Sequence, residues 1–227
     1  MKKYELTEET FTVFGKTLYR IRAVRDFGSV KTGEFGGYIE KEENLSHFGD
    51  AWVYDDAEVS GNAEVCGDAW VCGDAKVYGD AWVSGNAWIY GDAEVSGNAE
   101  VCGDARVYDD AEVSGNAEVS GNAQVFGNAQ VCGDAEVSGD AEVSGNAWVC
   151  NTRHFFVQGP IGSRDGYVTF YRTKDDTIGV RCGCFSGSLQ KFVDRVEETH
   201  GGSRYEKEYK LAAELAKVCI RLEGESR

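Results

Sequence analysis

A six-residue phrase, repeated without a break, limits what this chain can fold into. Seventeen consecutive copies of G-[DN]-A-x-V-x run from Gly49 to Cys150, with Asp55 and Asp109 replacing the first glycine in two of them. Alanine holds the third place in every copy, and valine holds the fifth in all except one, where Ile89 replaces it. Unbroken repetition at a fixed short period is the signature of a solenoid, and a period of six predicts a parallel β-helix.

Each hexad predicts a short strand followed by a turn. The alternation A-x-V-x directs alanine and valine inward and the two variable residues outward. The Gly-Asp or Gly-Asn pair supplies residues that tolerate left-handed backbone conformations, as a tight turn requires. Three hexads complete one triangular coil, and coils lie about 4.8 Å apart, so the repeats predict a rod about 27 Å long.

The repeats and both flanks carry resemblances. The V-x-G-[DN]-A-x hexads resemble the left-handed β-helix of hexapeptide-repeat proteins, which include acyltransferases and γ-class carbonic anhydrases. The flanking stretches LYRIRAVRDF, GEFGGYIEKEENLS, GPIGSRDGYVTFYRTKDD and GVRCGCFSG are similar to those of uncharacterised phage and prophage hexapeptide-repeat proteins. The resemblance implies left-handed coiling and a phage or prophage origin, and it brings no established chemistry with it.

The segments outside the repeat predict a separate structure at each end of the rod. The predicted fold class is mainly β. It comprises an N-terminal β cap on residues 1–48, a β-helix on 49–150 and a small α+β domain on 151–227. Residues 10–14 and 17–24 predict a hairpin around Gly15 that covers the open first coil. In the last domain, strands are predicted at 155–158, 167–173 and 178–184, and helices after Ser188 and Ser203. The first helix is predicted to carry Leu189, Phe192, Val193 and Val196 on one face, and the second to carry Tyr209, Leu215 and Cys219 inward.

No apolar run is long enough to cross a membrane, and the opening MKKYELTEET is not a signal peptide, so we expect a cytoplasmic protein of a bacterial host. Five cysteines at the sixth hexad place are expected to be reduced, outward-facing thiols. Cys132 and Cys150 fall on adjacent coils of one side, close enough for a disulfide.

One side of the rod, the aromatic side, is predicted to carry stacked rings at the fourth and sixth hexad places. These rings belong to Trp52, Trp70, Trp88, Tyr54, Tyr90, Tyr108 and Phe126. A large exposed aromatic patch usually marks a contact surface. We expect this side to be covered either by the tail of the same chain or by a second copy of the chain in a homo-oligomer. A foreign partner is the remaining alternative.

The second and third sides are predicted to be acidic. Their outward glutamates are Glu58, Glu64, Glu94, Glu100, Glu112, Glu118 and Glu136. From Gly49 to Cys150, twelve Asp and eight Glu face one Lys and one Arg, a formal charge of −18, whereas the whole chain carries −16. A DNA duplex about 27 Å long carries about 16 negative charges. The charge is therefore interpreted as a device for solubility or as a decoy for a protein that binds nucleic acid. Calcium bound by the corner carboxylates is a third interpretation, which the alternation with Asn and the lack of a calcium-binding loop disfavour.

Catalysis is not expected. The acyltransferases and carbonic anhydrases of the resembled family use histidines presented by their coils, whereas the seventeen hexads contain none and His47, His154 and His200 lie in the flanks. Cys182 and Cys184 match no strong metal-binding template. Neither a catalytic residue nor a metal or cofactor is predicted.

The last domain contains one polar constellation. Ser163 and Arg164 sit in a glycine-flanked loop, and Thr169, Tyr171 and Arg181 share one face of the predicted hairpin. Arginine together with hydroxyl groups is suited to binding phosphate. The alternatives are an ordinary solvated strand face and basic residues docked against the acidic rod.

The sequence thus predicts a non-catalytic binding protein. The leading hypothesis is inhibition of a host nucleic-acid-binding defence protein, of restriction or CRISPR type, through an acidic surface that mimics DNA. The alternatives are capture of a phosphorylated nucleotide signal by the last domain and a self-assembling structural role for the aromatic side. Neither direct DNA binding nor membrane association is expected.

Overall fold

The chain begins with a β cap, continues as a three-sided rod and ends in an α+β tail. A computed structural model describes residues 2–13 and 15–223. The cap comprises β1 (Tyr4–Val13), β2 (Lys16–Ala23), β3 (Phe35–Ile39) and a 3₁₀ turn at Glu42–Asn44. β1 and β2 form the predicted hairpin, and β3 pairs with β2. Phe14, which the sequence assigned to the first strand, lies outside the described residues.

The rod consists of seventeen two-residue strands, one at the fourth and fifth places of each hexad. They are β4 (Trp52–Val53), β5 (Glu58–Val59), β6 (Glu64–Val65), β7 (Trp70–Val71), β8 (Lys76–Val77), β9 (Trp82–Val83), β10 (Trp88–Ile89), β11 (Glu94–Val95), β12 (Glu100–Val101), β13 (Arg106–Val107), β14 (Glu112–Val113), β15 (Glu118–Val119), β16 (Gln124–Val125), β17 (Gln130–Val131), β18 (Glu136–Val137), β19 (Glu142–Val143) and β20 (Trp148–Val149).

These strands form three parallel sheets, as the period predicts. The aromatic side is the six-stranded sheet from β4 to β19, the third side is the five-stranded sheet from β6 to β18, and the second side runs from β5 to β20 and continues into the cap through β3. Residues three hexads apart are paired, for example Trp52 with Trp70. The inward alanines and valines are at most 1% exposed, so one narrow apolar core fills the rod from end to end.

The corners explain the first place of the hexad. Gly103 has φ +71, and an added Cβ would lie 3.0 Å from the backbone nitrogen of Gly121 in the next coil. A side chain there meets both a left-handed backbone and a close neighbour. Asp55 and Asp109 adopt the same left-handed conformation, and the Asp109 carboxylate accepts a hydrogen bond from Gly127 N at 3.3 Å. Aspartate therefore replaces glycine by satisfying a backbone donor of the next coil.

The tail is an antiparallel sheet with two helices packed on one face, which confirms the predicted α+β class. Its elements are β21 (Phe155–Ile161), β22 (Gly166–Arg172), β23 (Ile178–Cys182), β24 (Phe185–Ser188), α1 (Leu189–His200) and α2 (Arg204–Cys219). Ser188 and Ser203 cap the two helices as predicted. Val168, Phe170 and Val180 of the sheet form the tail core with Phe192 and Val196 of α1.

Two predictions for the tail are wrong. The strand predicted at 178–184 ends two residues earlier, at Cys182, because Gly183 turns with φ +57, and β24 follows outside the predicted range. Leu215 does not face inward but is 46% exposed. The inner face of α2 is formed by Ala212, Ala213 and Ala216, whose small side chains let the helix pack closely on the sheet.

Lys3 lies buried where the cap meets the rod, and its ammonium donates to the Ala51 carbonyl at 2.7 Å. Burial lowers the Lys3 pKa from 10.5 to about 8, against the opposing effect of Asp50. The folded chain therefore releases the Lys3 proton more readily than the unfolded chain does. As a result, the free energy of unfolding rises as the pH increases from about 8 towards 10.5. We expect the free energy of unfolding to rise by about 2 kcal/mol more between pH 7 and pH 10 in the wild type than in Lys3→Met, measured by urea denaturation. Equal pH profiles for the two proteins would contradict this expectation.

Candidate functional site

The carboxylates of the rod form ladders that have almost no cationic partner among residues 2–13 and 15–223. On the third side, Glu118 stands in register with both Glu100 and Glu136. Within the described part of the chain, Glu142 is the only rod carboxylate in an ion pair, with Arg181 Nε at 2.8 Å. Aligned like charges repel. A cationic surface laid on the rod would therefore relieve repulsion that the fold itself leaves in place.

The second side is less uniformly acidic than the third. Lys76 stands in register between Glu58 and Glu94, and Gln130 donates to the Glu112 carboxylate at 2.7 Å. Burial raises the pKa of Glu58, and Lys76 opposes that effect. The third side carries the four other predicted acidic contact residues, which are Glu64, Glu100, Glu118 and Glu136. The third side is therefore the stronger candidate for contact with a basic partner.

The three corners of the rod differ in whether asparagines separate the stacked aspartates and donate hydrogen bonds to them. At the corner between the second and third sides, Asn62 donates to Asp80 at 2.9 Å, and Asn116 donates to Asp134 at 2.9 Å. The corner between the third side and the aromatic side has similar bonds, such as Asn86 to Asp104 at 2.8 Å. The remaining corner stacks four aspartates in succession, namely Asp56, Asp74, Asp92 and Asp110. We call this row the aspartate corner; it borders the aromatic side.

The aromatic side is shorter than predicted, because the cap covers its first member. Trp52 is fully buried, and its ring packs edge-on against Phe27 at 5.3 Å and Tyr4 at 6.0 Å. The prediction that Trp52 is exposed is therefore wrong. Tyr54 is half-buried next to it and packs against Trp70 at 5.1 Å.

In the middle of the aromatic side, the rings are not covered by the cap or the tail, and they stack on one another in pairs. Trp70 and Trp88 stack at 5.2 Å, and Tyr90 and Tyr108 stack at 4.8 Å. Trp88 is 41% exposed. Phe126 continues the tyrosine stack, but the guanidinium of a tail arginine lies over its ring at 5.3 Å. The chain thus covers both ends of this side and leaves two pairs of rings for contact.

Self-association through these rings is a prediction that the oligomeric state tests. We expect light scattering to give a dimer or trimer at micromolar concentration for the wild type and a monomer for Trp70→Glu with Trp88→Glu, because buried carboxylates in an apolar interface are costly. Trp82→Glu is the matched control, since Trp82 is 46% exposed on the third side. A monomeric wild type would overturn the prediction.

Three of the five residues predicted to bind phosphate instead hold the tail on the rod. Thr169 and Tyr171 are buried, and the Thr169 hydroxyl accepts a hydrogen bond from Glu142 N at 2.9 Å. The Tyr171 hydroxyl lies 3.4 Å from that of Ser144, and Arg181 pairs with the Glu142 carboxylate. The alternative of docking against the acidic rod is therefore the correct one for these three. Ser163 and Arg164 remain exposed at the tip of the loop between β21 and β22.

The three histidines lie on separate elements. His47 packs against Tyr4 in the cap, and burial lowers its pKa. His154 lies beside Arg172 in the tail, and burial lowers its pKa as well. His200 ends α1. Among residues 2–13 and 15–223, no three His, Cys, Asp or Glu side chains converge on a common point as metal ligands would. Cys132 and Cys150 form a disulfide between adjacent coils, the pairing that their predicted proximity allows, whereas the other three cysteines of the repeats are free thiols.

Sequence reasoning missed a group of tail residues that face Arg164 across a cleft. Arg195, Thr199 and His200 of α1 line it together with Tyr167. Arg195 and Thr199 stand four residues apart and so share one face of a helix. That spacing was the available signal, but it becomes informative only when the opposite wall of the cleft is known.

The chain matches no protein-family model and no curated protein. Within the described residues, neither α1 nor α2 is long and apolar enough to span a bilayer.

Proposed function

We propose that this chain is a non-catalytic inhibitor whose acidic rod occupies the nucleic-acid-binding groove of a basic bacterial protein. The observation that carries the proposal is the row of rod glutamates in parallel register, at the spacing of β-strands, that have no ion-pair partner among the described residues. All twelve rod aspartates are exposed as well. A groove lined with lysine and arginine recognises such a surface by charge complementarity, which raises the encounter rate and selects the partner.

The proposal extends to source and target. The hexad pattern and the flanking stretches resemble left-handed hexapeptide-repeat proteins of phages and prophages, and a phage gains from disabling host defence. The target is therefore a restriction- or CRISPR-type nuclease in the bacterial cytoplasm, and the protein acts there without binding DNA itself.

Capture and competition test this proposal. Immobilised protein is incubated with bacterial lysate at low salt, and bound proteins are eluted with rising salt. We expect a nucleic-acid-binding protein to elute in a salt-dependent manner, because ionic contacts weaken as counterions screen them. The purified target should then bind either a DNA duplex or this chain, but not both together. Simultaneous binding of DNA and the chain would overturn mimicry.

The open ring pairs favour a second candidate, a self-assembling structural role. Trp70 on Trp88 and Tyr90 on Tyr108 form a strip of two stacked ring pairs on a highly charged rod, with the Arg106 guanidinium 5.7 Å from the Trp88 ring. A dimer built on this strip leaves the third side accessible. The two candidates are therefore compatible, and charge-neutralising and ring-replacing variants separate them.

A further inference from the structure

A cleft of about 700 Å³ opens where the tail meets the end of the rod. One wall is the loop between β21 and β22, and the opposite wall is α1 with the turn between β23 and β24. Tyr209 of α2 closes the back, and Asp140 and Glu142 of the rod form one end. The cleft therefore combines elements of both parts of the chain.

The loop that carries Ser163 and Arg164 is fixed by close packing on α2. Gly162 has φ +76, and a Cβ there would lie 1.9 Å from the Tyr209 hydroxyl oxygen. Its amide donates to the Glu208 carboxylate at 2.8 Å. Only glycine allows this approach. Arg164 is consequently held at the mouth of the cleft by the backbone rather than by a salt bridge.

The charges in the cleft are arranged asymmetrically. Arg181 is neutralised by Glu142 at the rod end, at 2.8 Å. Arg164 forms no ion pair among the described residues, and Arg195 has only the exposed Glu198 at 3.2 Å. In a chain of net charge −16, the loop and α1 thus set two arginines against an acidic rod end. An anionic group is therefore favoured between the loop and α1, away from the rod end. The forked donors of the two guanidinium groups there suit phosphate.

The rest of the lining suits a planar ring. Tyr167 is 44% exposed, and Phe185 and Tyr209 contribute further aromatic surface to the same cleft. Ser163 and Thr199 add hydroxyl groups beside the two arginines. Pockets of this size bind small molecules when apolar walls are combined with a few convergent polar groups.

We infer that this cleft binds a small phosphorylated ligand with a planar ring, a nucleotide in chemical class. Arg164 and Arg195 contact the phosphate, and Tyr167 stacks on the ring. Ser163, Arg164, Thr169 and Arg181 of the five-residue constellation that the sequence suggests line this cleft, whereas Tyr171 is buried between the tail and the rod. Among the rod carboxylates the cleft includes Asp140 and Glu142 of the last coil, but none of the seven glutamates of the second and third sides on which the mimicry proposal rests.

Isothermal titration calorimetry of the full chain with ATP, AMP, cyclic AMP and cyclic di-AMP tests the inference, with inorganic pyrophosphate as a probe that lacks a ring. We expect one nucleotide to bind with 1:1 stoichiometry and to raise the melting temperature by mass action. Arg164→Ala and Arg195→Ala should each weaken its affinity at least about tenfold, because each removes a charge-assisted hydrogen bond. Arg153→Ala is the matched control, since Arg153 is an exposed tail arginine outside the cleft.

Arg164→Lys is a second test, because lysine keeps the positive charge but lacks the forked donors. Its affinity for the nucleotide should lie between those of the wild type and the alanine variant. The inference is overturned if no nucleotide binds at millimolar concentration, or if pyrophosphate binds as tightly as the nucleotide. Equal losses in Arg153→Ala and the two cleft variants would also overturn it. We expect the nucleotide to bind equally well to a variant whose rod glutamates are replaced with glutamine. That measurement distinguishes failure of the cleft inference from failure of the mimicry proposal.

Discussion

Replacing five rod glutamates with glutamine is expected to lower affinity for the basic target by at least about a hundredfold, because charge complementarity sets both encounter rate and partner choice. The five are Glu94, Glu100, Glu112, Glu118 and Glu136, all at the outward fourth place of their hexads. Glutamine keeps the shape of each side chain and changes the net charge of the chain from −16 to −11. Affinity measured by surface plasmon resonance and inhibition of the target's DNA binding should fall together.

A control variant with the same net charge separates a local effect from a general one. Glutamine or asparagine at five exposed carboxylates of the cap and tail also gives −11 from −16. Suitable positions are Glu8, Glu43, Asp194, Glu198 and Glu214. We expect this control to retain nearly full inhibition, since its changes lie away from the ladders. Equal loss in the two variants would mean that net charge alone attracts the partner, and full inhibition by the rod variant would rule mimicry out.

The rod variant should also fold at least as well as the wild type. Neutral side chains already occupy equivalent places, as Gln124 and Gln130 show, and removal of aligned charges reduces repulsion. Thermal denaturation checks this point before binding is compared. The fold therefore gives no reason to expect that a loss of inhibition reflects unfolding.

A companion variant locates the contact on the rod. Replacing the four residues of the aspartate corner with asparagine is conservative, because Asn128 and Asn146 hold the same place in the next two coils. If the partner binds the glutamate rows of the second and third sides, this variant keeps most of its affinity while the glutamine variant loses it. The reverse result would place the contact along the corner that borders the aromatic side.

The sequence predicts the rod well because every coil meets the same environment. Ala alternates with Val in every hexad except the one with Ile89, each internal coil packs on two neighbours of the same form, and the pairing of Glu100 with Glu118 follows directly from the period. Local pattern and long-range contact coincide here. The sign and position of the rod's charge could be predicted for the same reason.

Prediction fails where the periodic environment ends. Thr169 and Tyr171 read as half of an ordinary alternating strand, and nothing local indicates that their face packs on the last coil. Leu215 follows the apolar spacing of a helix, yet three alanines pack on the sheet in its place. The cleft depends on the same docking, since its walls come from segments distant in sequence. These features are set by how the tail sits on the rod, which no single hexad encodes.

Trp52 illustrates this limit and leads to a direct test. Trp52 and Trp88 occupy the same hexad place two coils apart, and the sequence treats them alike. The first is fully buried under the cap, and the second is 41% exposed. We expect Trp52→Ala to lower the free energy of unfolding by about 3–5 kcal/mol, as truncation of a buried tryptophan typically does. Trp88→Ala should cost about 1 kcal/mol, mainly the loss of stacking on Trp70.

The loss in Trp52→Ala should be confined to one end of the molecule. A solenoid is stabilised by contacts between neighbouring coils, so damage at the cap propagates only a short way. Hydrogen exchange should accelerate in residues 16–39 and in the first coil, while peptides from residues 124–143 keep their protection. Trp52→Phe should cost less than alanine, because the indole nitrogen has no hydrogen-bond partner within the described residues and the phenyl ring still fills most of the space. Similar losses for Trp52→Ala and Trp88→Ala would show that the cap does not bury Trp52, and the aromatic side would then extend over the first coil as the repeat alone suggests.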